Sequence, residues 1–157
     1  MVAMSKDYDA IIAAPFGTVG IKTQDDFLVE VDLLPDLPSV KPASSAFASA
    51  IAQQLAQYFA DPYSPLEIAY AVKGTHFQNR VWQAIAAIPV GQVQTYGELA
   101  EKVNSGARAV ANVCGANQVP LFIPCHRVVA KNGLGGFMQG NAKGLLIKQW
   151  LLDHERS

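Results

Sequence analysis

The sequence lacks the features of a secreted, membrane-spanning or metal-binding protein. Its 157 residues include two cysteines, too few for a disulfide framework, which favours a reducing intracellular compartment. No apolar run reaches the ~18 residues of a membrane span, and residues 1–7 lack the hydrophobic stretch of a signal peptide. We therefore expect no membrane partner. Because the spacing of the potential ligands matches no known metal site, we expect neither metal nor cofactor at Cys114, Cys125, His76, His126 and His154.

Charge is distributed unevenly along the chain. Residues 1–73 contain four Lys and Arg against nine Asp and Glu, whereas residues 74–157 contain eight against four. Half of the chain is apolar, so one domain or two small ones can bury a core. We predict a scaffold domain over 1–73 and a second domain over 74–157. The net charge of +4 in the second part suits either a polyanion partner or an ordinary soluble surface.

The first third of the chain has the pattern of a small antiparallel sheet followed by a helix. Apolar runs at residues 10–14, 18–23 and 27–34 predict three strands, the last two joined by a hairpin turn. Ser44 or Ser45 is the expected N-cap of the helix that follows. The carboxylates of this part are scattered, which indicates a scaffold rather than a reactive site.

The second half predicts short helices with clear boundaries. Thr75 with Gln78, and Thr95 with Glu98, have the spacing of capping boxes, each at the start of a helix. A tight turn containing Gly then leads to a third helix over 107–116. Two short helices joined by such a turn are typical of a helix-turn-helix, whose second helix can lie in a nucleic-acid groove. The fold class predicted for the whole chain is α+β.

The third of these helices carries a single charge. Ala107 and Ala109 flank Arg108, and further small residues keep the helix slim. A slim helix would let the backbone approach DNA while one long cationic side chain projects. Small residues also permit close helix packing, with Arg108 solvated. Composition alone slightly favours packing, because short helix pairs are common in helical domains.

The stretch 123–129 places Cys125 next to His126. A free thiol has a pKa of about 8.5, and an imidazole or cationic neighbour raises its thiolate fraction, so Cys125 is the best candidate nucleophile. Pro124 suits a tight entry into a site. Residues 127–129 are predicted to form a short buried strand. The alternative is that Cys125 is a small core residue, because free cysteine is among the most buried residue types.

Seven spaced motifs in the second half resemble those of the O6-alkylguanine-DNA alkyltransferases. The likeness is dense over residues 74–129 and continues to Glu155, whereas over 1–73 it rests on the order of strands and helix alone. A lone PCHR would be unspecific, but seven matches in the same order and spacing are not. The motifs are Gly74-Thr75-His76-Phe77-Gln78, Val81-Trp82, Ile88-Pro89-Val90-Gly91, Thr95-Tyr96-Gly97, Arg108-Ala109-Val110, Asn117 and Ile123-Pro124-Cys125-His126-Arg127-Val128-Val129.

The resemblance implies a DNA repair protein that reacts once. In the family, the cysteine matching Cys125 takes the alkyl group from guanine O6 and keeps it; O4-alkylthymine is a further implied substrate. The histidine matching His126 removes the thiol proton through a water, and the glutamate matching Glu155 orients that imidazole. The tyrosine matching Tyr96 gives a proton to guanine N3 as the base leaves.

The implied partner is double-stranded DNA containing O6-alkylguanine, with the damaged nucleotide extruded from the duplex. In the family the arginine matching Arg108 fills the vacated place in the base stack. With this resemblance, a DNA-binding role for the helix that carries Arg108 is favoured over simple helix packing. DNA contacts are expected at Gln94, Thr95, Ala107, Arg108 and Ala109. The base pocket is expected to include Asn117, Phe137, Met138, Lys148 and Val128.

The resemblance further implies a ribonuclease H-like first domain, a winged helix-turn-helix-like second domain, a monomer, and a bacterial or archaeal cytoplasm. The sequence departs from the family at three places. Gln118 replaces a common proline, which predicts a looser turn around Asn117. Met138 stands where a small hydroxyl residue is common, and about three extra residues precede Lys148.

Two other functions stay open. A lesion-binding protein related to the alkyltransferases shares the helix-turn-helix but lacks the reactive cysteine, and Cys125 argues against it. A thiol hydrolase with multiple turnover usually has its Cys and His far apart in sequence, whereas Cys125 and His126 are adjacent.

Overall fold

The computed structural model describes residues 7–36, 39–137 and 142–156. The described residues divide into two compact units, one within Met1–Val72 and the other within Lys73–Ser157. Met138, one of the predicted pocket residues, lies outside the described ranges, as do Gly140 and Asn141 at the start of the stretch before Lys148 where the extra residues are expected. No helix in the described part is both long enough and apolar enough to cross a membrane.

The first unit is a three-stranded antiparallel sheet with one helix. Strands β1 (Ala10–Ala14), β2 (Gly17–Gln24) and β3 (Phe27–Leu34) pair in the order β1-β2-β3, which confirms the predicted small antiparallel sheet. Helix α1 spans Ala46–Ala60 and begins at Ser45, whose hydroxyl accepts a hydrogen bond from the Ala48 N–H. Its buried face packs with the sheet into a core that includes Tyr8, Val19, Ile21, Leu28, Ile51, Leu55 and Tyr58.

The second unit is mostly helical. Its first helix, α2 (His76–Ala86), and its second, α3 (Tyr96–Lys102), both begin with the capping boxes predicted from Thr75 and Thr95. The third helix, α4 (Ala107–Gly115), is tied to α2 by the Trp82 indole N–H, which donates to the Val113 carbonyl at 3.1 Å. The last helix, α5, spans Ala142–Arg156.

A pair of two-residue strands connects the helices of this unit. Strand β4 (Gln94–Thr95) runs parallel to β5 (Val128–Val129), with Gln94 opposite Val128 and Thr95 opposite Val129. Because Tyr96 follows β4 directly and Cys125 lies three residues before Val128, this pairing brings the start of α3 to the cysteine stretch.

The predicted strand over 127–129 is wrong at its first residue. Cys125–Arg127 form one turn of 3-10 helix, and the strand is limited to Val128–Val129. Pro124 has no N–H to give to a ladder, and its carbonyl instead accepts from the Arg127 N–H at 2.9 Å, which closes the turn. The turn directs three consecutive polar side chains inward, where an extended strand would alternate them.

Candidate functional site

Cys125 lies in the 3-10 turn with its sulfur buried among polar groups. The Asn117 side-chain N–H donates to Sγ at 2.6 Å and to the Ile123 carbonyl at 2.8 Å. Sγ also lies 3.8 Å from the Cys114 carbonyl at the end of α4, and 3.7 Å from the Ile123 carbonyl. Cys125 is therefore buried, as expected if it were a small core residue. Its sulfur is also hydrogen-bonded, however, which is not expected of a purely apolar core residue.

The pKa of this thiol lies above its ordinary value, opposite to the sequence-based expectation. Burial raises the pKa of Cys125 to about 11, and the Asn117 hydrogen bond, the local backbone and the Lys148 cation only partly offset that effect. At neutral pH roughly one molecule in 10⁴ then carries a thiolate. The adjacent imidazole does not ionise the resting thiol, so a base must take the proton during the reaction.

His126 and Glu155 form a buried pair next to Cys125. His126 Nε2 lies 2.8 Å from Glu155 Oε2, and each side chain is only 1% exposed. Burial lowers the pKa of His126, although Glu155 opposes this shift, so the imidazole is neutral at neutral pH. Its proton is then on Nε2, facing the carboxylate, and Nδ1 carries a lone pair. Nδ1 is buried and has no hydrogen-bond partner among the described residues.

Arg127 is a member of this cluster that sequence reasoning did not single out. Its Nε and Nη2 donate to the two oxygens of Glu155 at 2.8 and 2.9 Å, and Nη1 donates to the Ile88 carbonyl at 2.7 Å. The forked contact neutralises a carboxylate that is otherwise buried, and it fixes the plane of Glu155. The position of Arg127 next to His126 in the sequence could have indicated this role, because an arginine that is buried with its neighbours requires an acidic partner.

Asn117 holds the turn between α4 and the cysteine stretch. Besides its two donor contacts, its Oδ1 accepts from the Val119 N–H at 3.0 Å. At Gln118, where a looser turn is expected, the side chain forms two hydrogen bonds with the backbone of Lys73. Gln118 Oε1 accepts from the Lys73 N–H at 3.0 Å, and Nε2 donates to the Lys73 carbonyl at 2.7 Å.

Tyr96 is half-buried at the first position of α3. Its hydroxyl oxygen accepts a hydrogen bond from the Gly136 N–H at 3.2 Å. Burial raises the pKa of Tyr96, the Gly136 N–H opposes this, and the thiols of Cys114 and Cys125 add to the rise. The phenol is thus protonated at neutral pH and can act as a proton donor.

Lys148 connects α5 to strand β5 and to the backbone of Gly136. Its ammonium group donates to the Val128 carbonyl at 2.6 Å and to the Gly136 carbonyl at 3.0 Å, and the side chain is fully buried. Burial lowers the pKa of Lys148 to about 8, although the two thiols oppose the shift. Phe137 is buried next to Gly136. Of the predicted pocket residues, Val128 belongs to the cysteine stretch, and Asn117 and Lys148 are joined to that stretch through described contacts.

The predicted DNA-contacting residues are less buried than this cluster. Arg108 and Ala107 are exposed at the start of α4, and Ala109 is half-buried. Gln94 and Thr95 are half-buried in β4, where the Thr95 hydroxyl caps α3. No described hydrogen bond links Arg108 to the cluster, so its side chain is presented on the surface. Among the described residues, no group of three His, Cys, Asp or Glu side chains could hold a metal ion.

Comparison with known proteins agrees with this geometry. The sequence model of a family described as "6-O-methylguanine DNA methyltransferase, DNA binding domain" matches residues 76–157. The methylated-DNA–protein-cysteine methyltransferase of Salmonella typhimurium is 42% identical over 115 residues, which cover 71% of this chain and 66% of that protein. This chain thus matches slightly less than two thirds of the length of that relative.

Two further comparisons extend over nearly the whole chain. The methylated-DNA–protein-cysteine methyltransferase of Methanosarcina acetivorans is 32% identical over 157 residues, covering 96% of this chain and 99% of that protein. The crystal structure of Mycobacterium tuberculosis OGT in complex with DNA is 32% identical, covers 93% of this chain and 91% of that chain, and superposes with a TM-score of 0.78. These matches confirm the resemblance seen in the motifs, and the chain belongs to the 6-O-methylguanine DNA methyltransferase family.

Proposed function

We propose that this protein repairs DNA by moving the alkyl group of O6-alkylguanine onto its own Cys125. The observation that carries the proposal is the buried His126–Glu155 pair beside the cysteine, with the remaining imidazole nitrogen unpaired. A sulfur with a pKa of about 11 needs a base during the reaction. A neutral imidazole with a free lone pair is such a base.

His126 and Tyr96 each carry out one proton transfer in the proposed reaction. As the lesion binds, the Cys125 proton passes to His126 Nδ1, directly or through one water, and the Glu155 carboxylate stabilises the imidazolium that forms. The thiolate attacks the alkyl carbon, the S–C bond forms, and the C–O6 bond breaks. The electron pair of that bond leaves with the guanine, which takes a proton at N3 from the Tyr96 hydroxyl. The thioether is stable, so the protein turns over once.

The DNA partner reaches this site by extrusion of the damaged nucleotide. The alkyl carbon lies inside the duplex, and flipping it out costs a few kcal/mol, less at a damaged pair. We assign Arg108 to the vacated place in the stack, supported by its exposed position as the only charge on α4. Gln94, Thr95, Ala107 and Ala109 are proposed neighbours of the DNA. The relative from Mycobacterium tuberculosis, solved in complex with DNA, supports DNA binding by this chain.

The finer assignments of fold and assembly are part of the same proposal. A ribonuclease H-like first unit is supported by the antiparallel β1-β2-β3 order followed by α1. A winged helix-turn-helix-like second unit is supported by α3 and α4, joined by a short turn, with α4 carrying Arg108. We further propose that the protein acts as a monomer inside a bacterial or archaeal cell, where its DNA substrate is found.

Intact-mass measurement after incubation with duplex DNA carrying O6-methylguanine tests the proposal. We expect each molecule to gain one methyl group, and peptide mapping to place it on Cys125. Cys125→Ala should bind the DNA and gain nothing, while Cys114→Ala, which removes the other thiol, should still be methylated. Repeated turnover with unmodified protein would indicate a thiol hydrolase, and tight lesion binding without methylation would indicate a lesion-binding protein.

A further inference from the structure

We propose that Gly135 and the backbone of Gly136 position Tyr96, aligning its hydroxyl proton with the base that leaves. The inference deepens the proposed function and rests on it. It starts from a two-sided contact: the Gly136 N–H donates to the Tyr96 hydroxyl at 3.2 Å, and the Gly136 carbonyl accepts from Lys148 Nζ at 3.0 Å. The backbone of Gly136 is thereby fixed between the proton donor and a buried cation, through its N–H on one side and its carbonyl on the other.

The backbone conformation at Gly135 is what allows this contact. Gly135 has a φ of +77°, a value that residues with a Cβ rarely adopt. A Cβ at this position would lie 2.7 Å from the Tyr96 hydroxyl oxygen, 2.8 Å from a ring carbon and 3.1 Å from the Ala130 nitrogen. Glycine is therefore required for the loop to lie directly against the phenol.

The contact decides where the phenol proton points. A phenol oxygen is both donor and acceptor, so an N–H aimed at its lone pair leaves the O–H to be given elsewhere. When that proton passes to guanine N3, the phenolate left behind is stabilised by the same N–H, as an oxyanion is by a backbone donor. The Gly136 N–H accordingly opposes the rise in the pKa of Tyr96 that burial causes.

Lys148 binds Gly136 through the carbonyl of that residue. The same ammonium group that binds the Gly136 carbonyl also binds the Val128 carbonyl at 2.6 Å, three residues after Cys125. Strand β5, which follows the turn that holds the nucleophile, and the loop that orients the proton donor are thus joined through one side chain of α5. The position of Tyr96 relative to Cys125 therefore depends on a backbone segment that contributes no reactive side chain.

The first test compares two glycine substitutions in the same loop. Gly133→Ala is the matched control, since a Cβ there meets nothing within 4 Å and Gly133 has no positive φ. At saturating O6-methylguanine duplex, we expect Gly135→Ala to slow methyl transfer by about tenfold to a hundredfold, a part of what a positioned general acid contributes. DNA affinity should change less than twofold in both variants. Equal rates for Gly135→Ala and Gly133→Ala would overturn the inference.

A double-mutant cycle separates positioning of Tyr96 from general damage to the fold. In a Tyr96→Phe background there is no hydroxyl to orient, so Gly135→Ala should lose most of its effect on the rate. If Gly135→Ala does not fold, Lys148→Met releases the carbonyl of Gly136 without adding an atom near the phenol. Its effect on the rate should likewise shrink in Tyr96→Phe. Additive effects in the cycle that is measured would overturn the inference.

The proposed function and the positioning role fail in different ways. If the wild-type protein never gains a methyl group, the proposed function fails before the variants are compared. If the wild type is methylated at Cys125 and the cycles are additive, the function stands and only the role of Gly135 and Gly136 is wrong.

Discussion

His126 Nε2 and Glu155 Oε2 lie 2.8 Å apart in a part of the protein that is almost sealed from solvent. The same carboxylate receives two hydrogen bonds from Arg127, so one glutamate from α5 orients both an imidazole and a guanidinium. This arrangement allows a histidine to be neutral at rest and to become a cation during proton transfer, because the countercharge is already in place.

The first prediction concerns that carboxylate. Glu155→Gln keeps the shape of the side chain but removes the charge, which leaves Arg127 buried without its countercharge and an imidazolium that nothing stabilises. We expect methyl transfer to slow by at least about tenfold. The free energy of unfolding should fall by about 3 kcal/mol, measured by urea denaturation.

Asp153→Asn is the control for this substitution. Asp153 is exposed on the same helix, and its carboxylate accepts a hydrogen bond from Gln149 at 2.9 Å. Its replacement should change the unfolding free energy by no more than about 0.5 kcal/mol and leave the rate unaltered. A Glu155→Gln protein as stable and as fast as Asp153→Asn would contradict the role given to the carboxylate.

The second prediction is the pH dependence of methyl transfer. Burial lowers the pKa of His126, so the imidazole stays neutral to a more acidic pH than an exposed histidine. We expect a rate that is constant near neutrality and falls on acidification, with its midpoint below the ordinary histidine value of about 6.5. Stopped-flow rates at saturating DNA across this range provide the measurement, and a midpoint above that value would contradict the assignment.

The same shift has a consequence for stability. In the unfolded chain His126 binds a proton below its ordinary pKa, whereas in the folded protein it stays neutral until the pH is lower. The unfolded state therefore binds more protons in this window, and stability decreases as the pH falls through it. Acid should thus weaken both the base and the fold.

The sequence and the structure agree most closely where the signal is local. The Thr75 and Thr95 capping boxes, and the strand boundaries of the first unit, follow from short-range hydrogen bonding and alternation. The turn at Asp25 and Asp26, with φ values of 52° and 60°, also agrees with a two-residue hairpin loop. Such features depend on residues that are close together in the chain, so they can be predicted from the sequence.

The parts that sequence reasoning missed depend on residues far apart in the chain. Arg127 meets Glu155 across 28 positions and Gly136 meets Tyr96 across 40, and no periodicity records either contact. The direction of the Cys125 pKa shift was wrong for the same reason. The adjacent histidine is visible in the sequence, whereas the burial that outweighs it arises from packing.

The third prediction concerns Lys148, whose pKa burial lowers to about 8. Between that value and the ordinary 10.4 of an exposed lysine, the folded protein has lost this proton and the unfolded chain still binds it. The contribution of Lys148 to stability should therefore become more favourable as the pH rises through this window.

Comparison with Lys148→Met isolates this effect from the thiols and tyrosines that also titrate at high pH. We expect the difference in unfolding free energy, wild type minus variant, to grow by on the order of 2 kcal/mol from pH 8 to pH 10.5. A difference for Lys148→Met that does not vary with pH would show that burial does not lower the pKa of this lysine.

The fourth prediction separates extrusion of the nucleotide from the chemistry at the sulfur. Arg108 is exposed at the start of α4, and no described hydrogen bond joins it to the Cys125 cluster, so Arg108→Ala should leave the reactive groups intact. We expect repair of duplex DNA to slow by about tenfold or more, because the place vacated by the base is left unfilled, a loss on the scale of the few kcal/mol that flipping costs. Reaction with free O6-methylguanine, which needs no extrusion, should change less than twofold.

Lys102→Ala, which removes an exposed cation from α3, is the control for lost charge. It should weaken DNA binding through fewer phosphate contacts, without the large difference between the duplex and free-base rates that is expected for Arg108→Ala. Equal losses on duplex and free base in Arg108→Ala would place this arginine in the chemistry or the fold rather than in the stack.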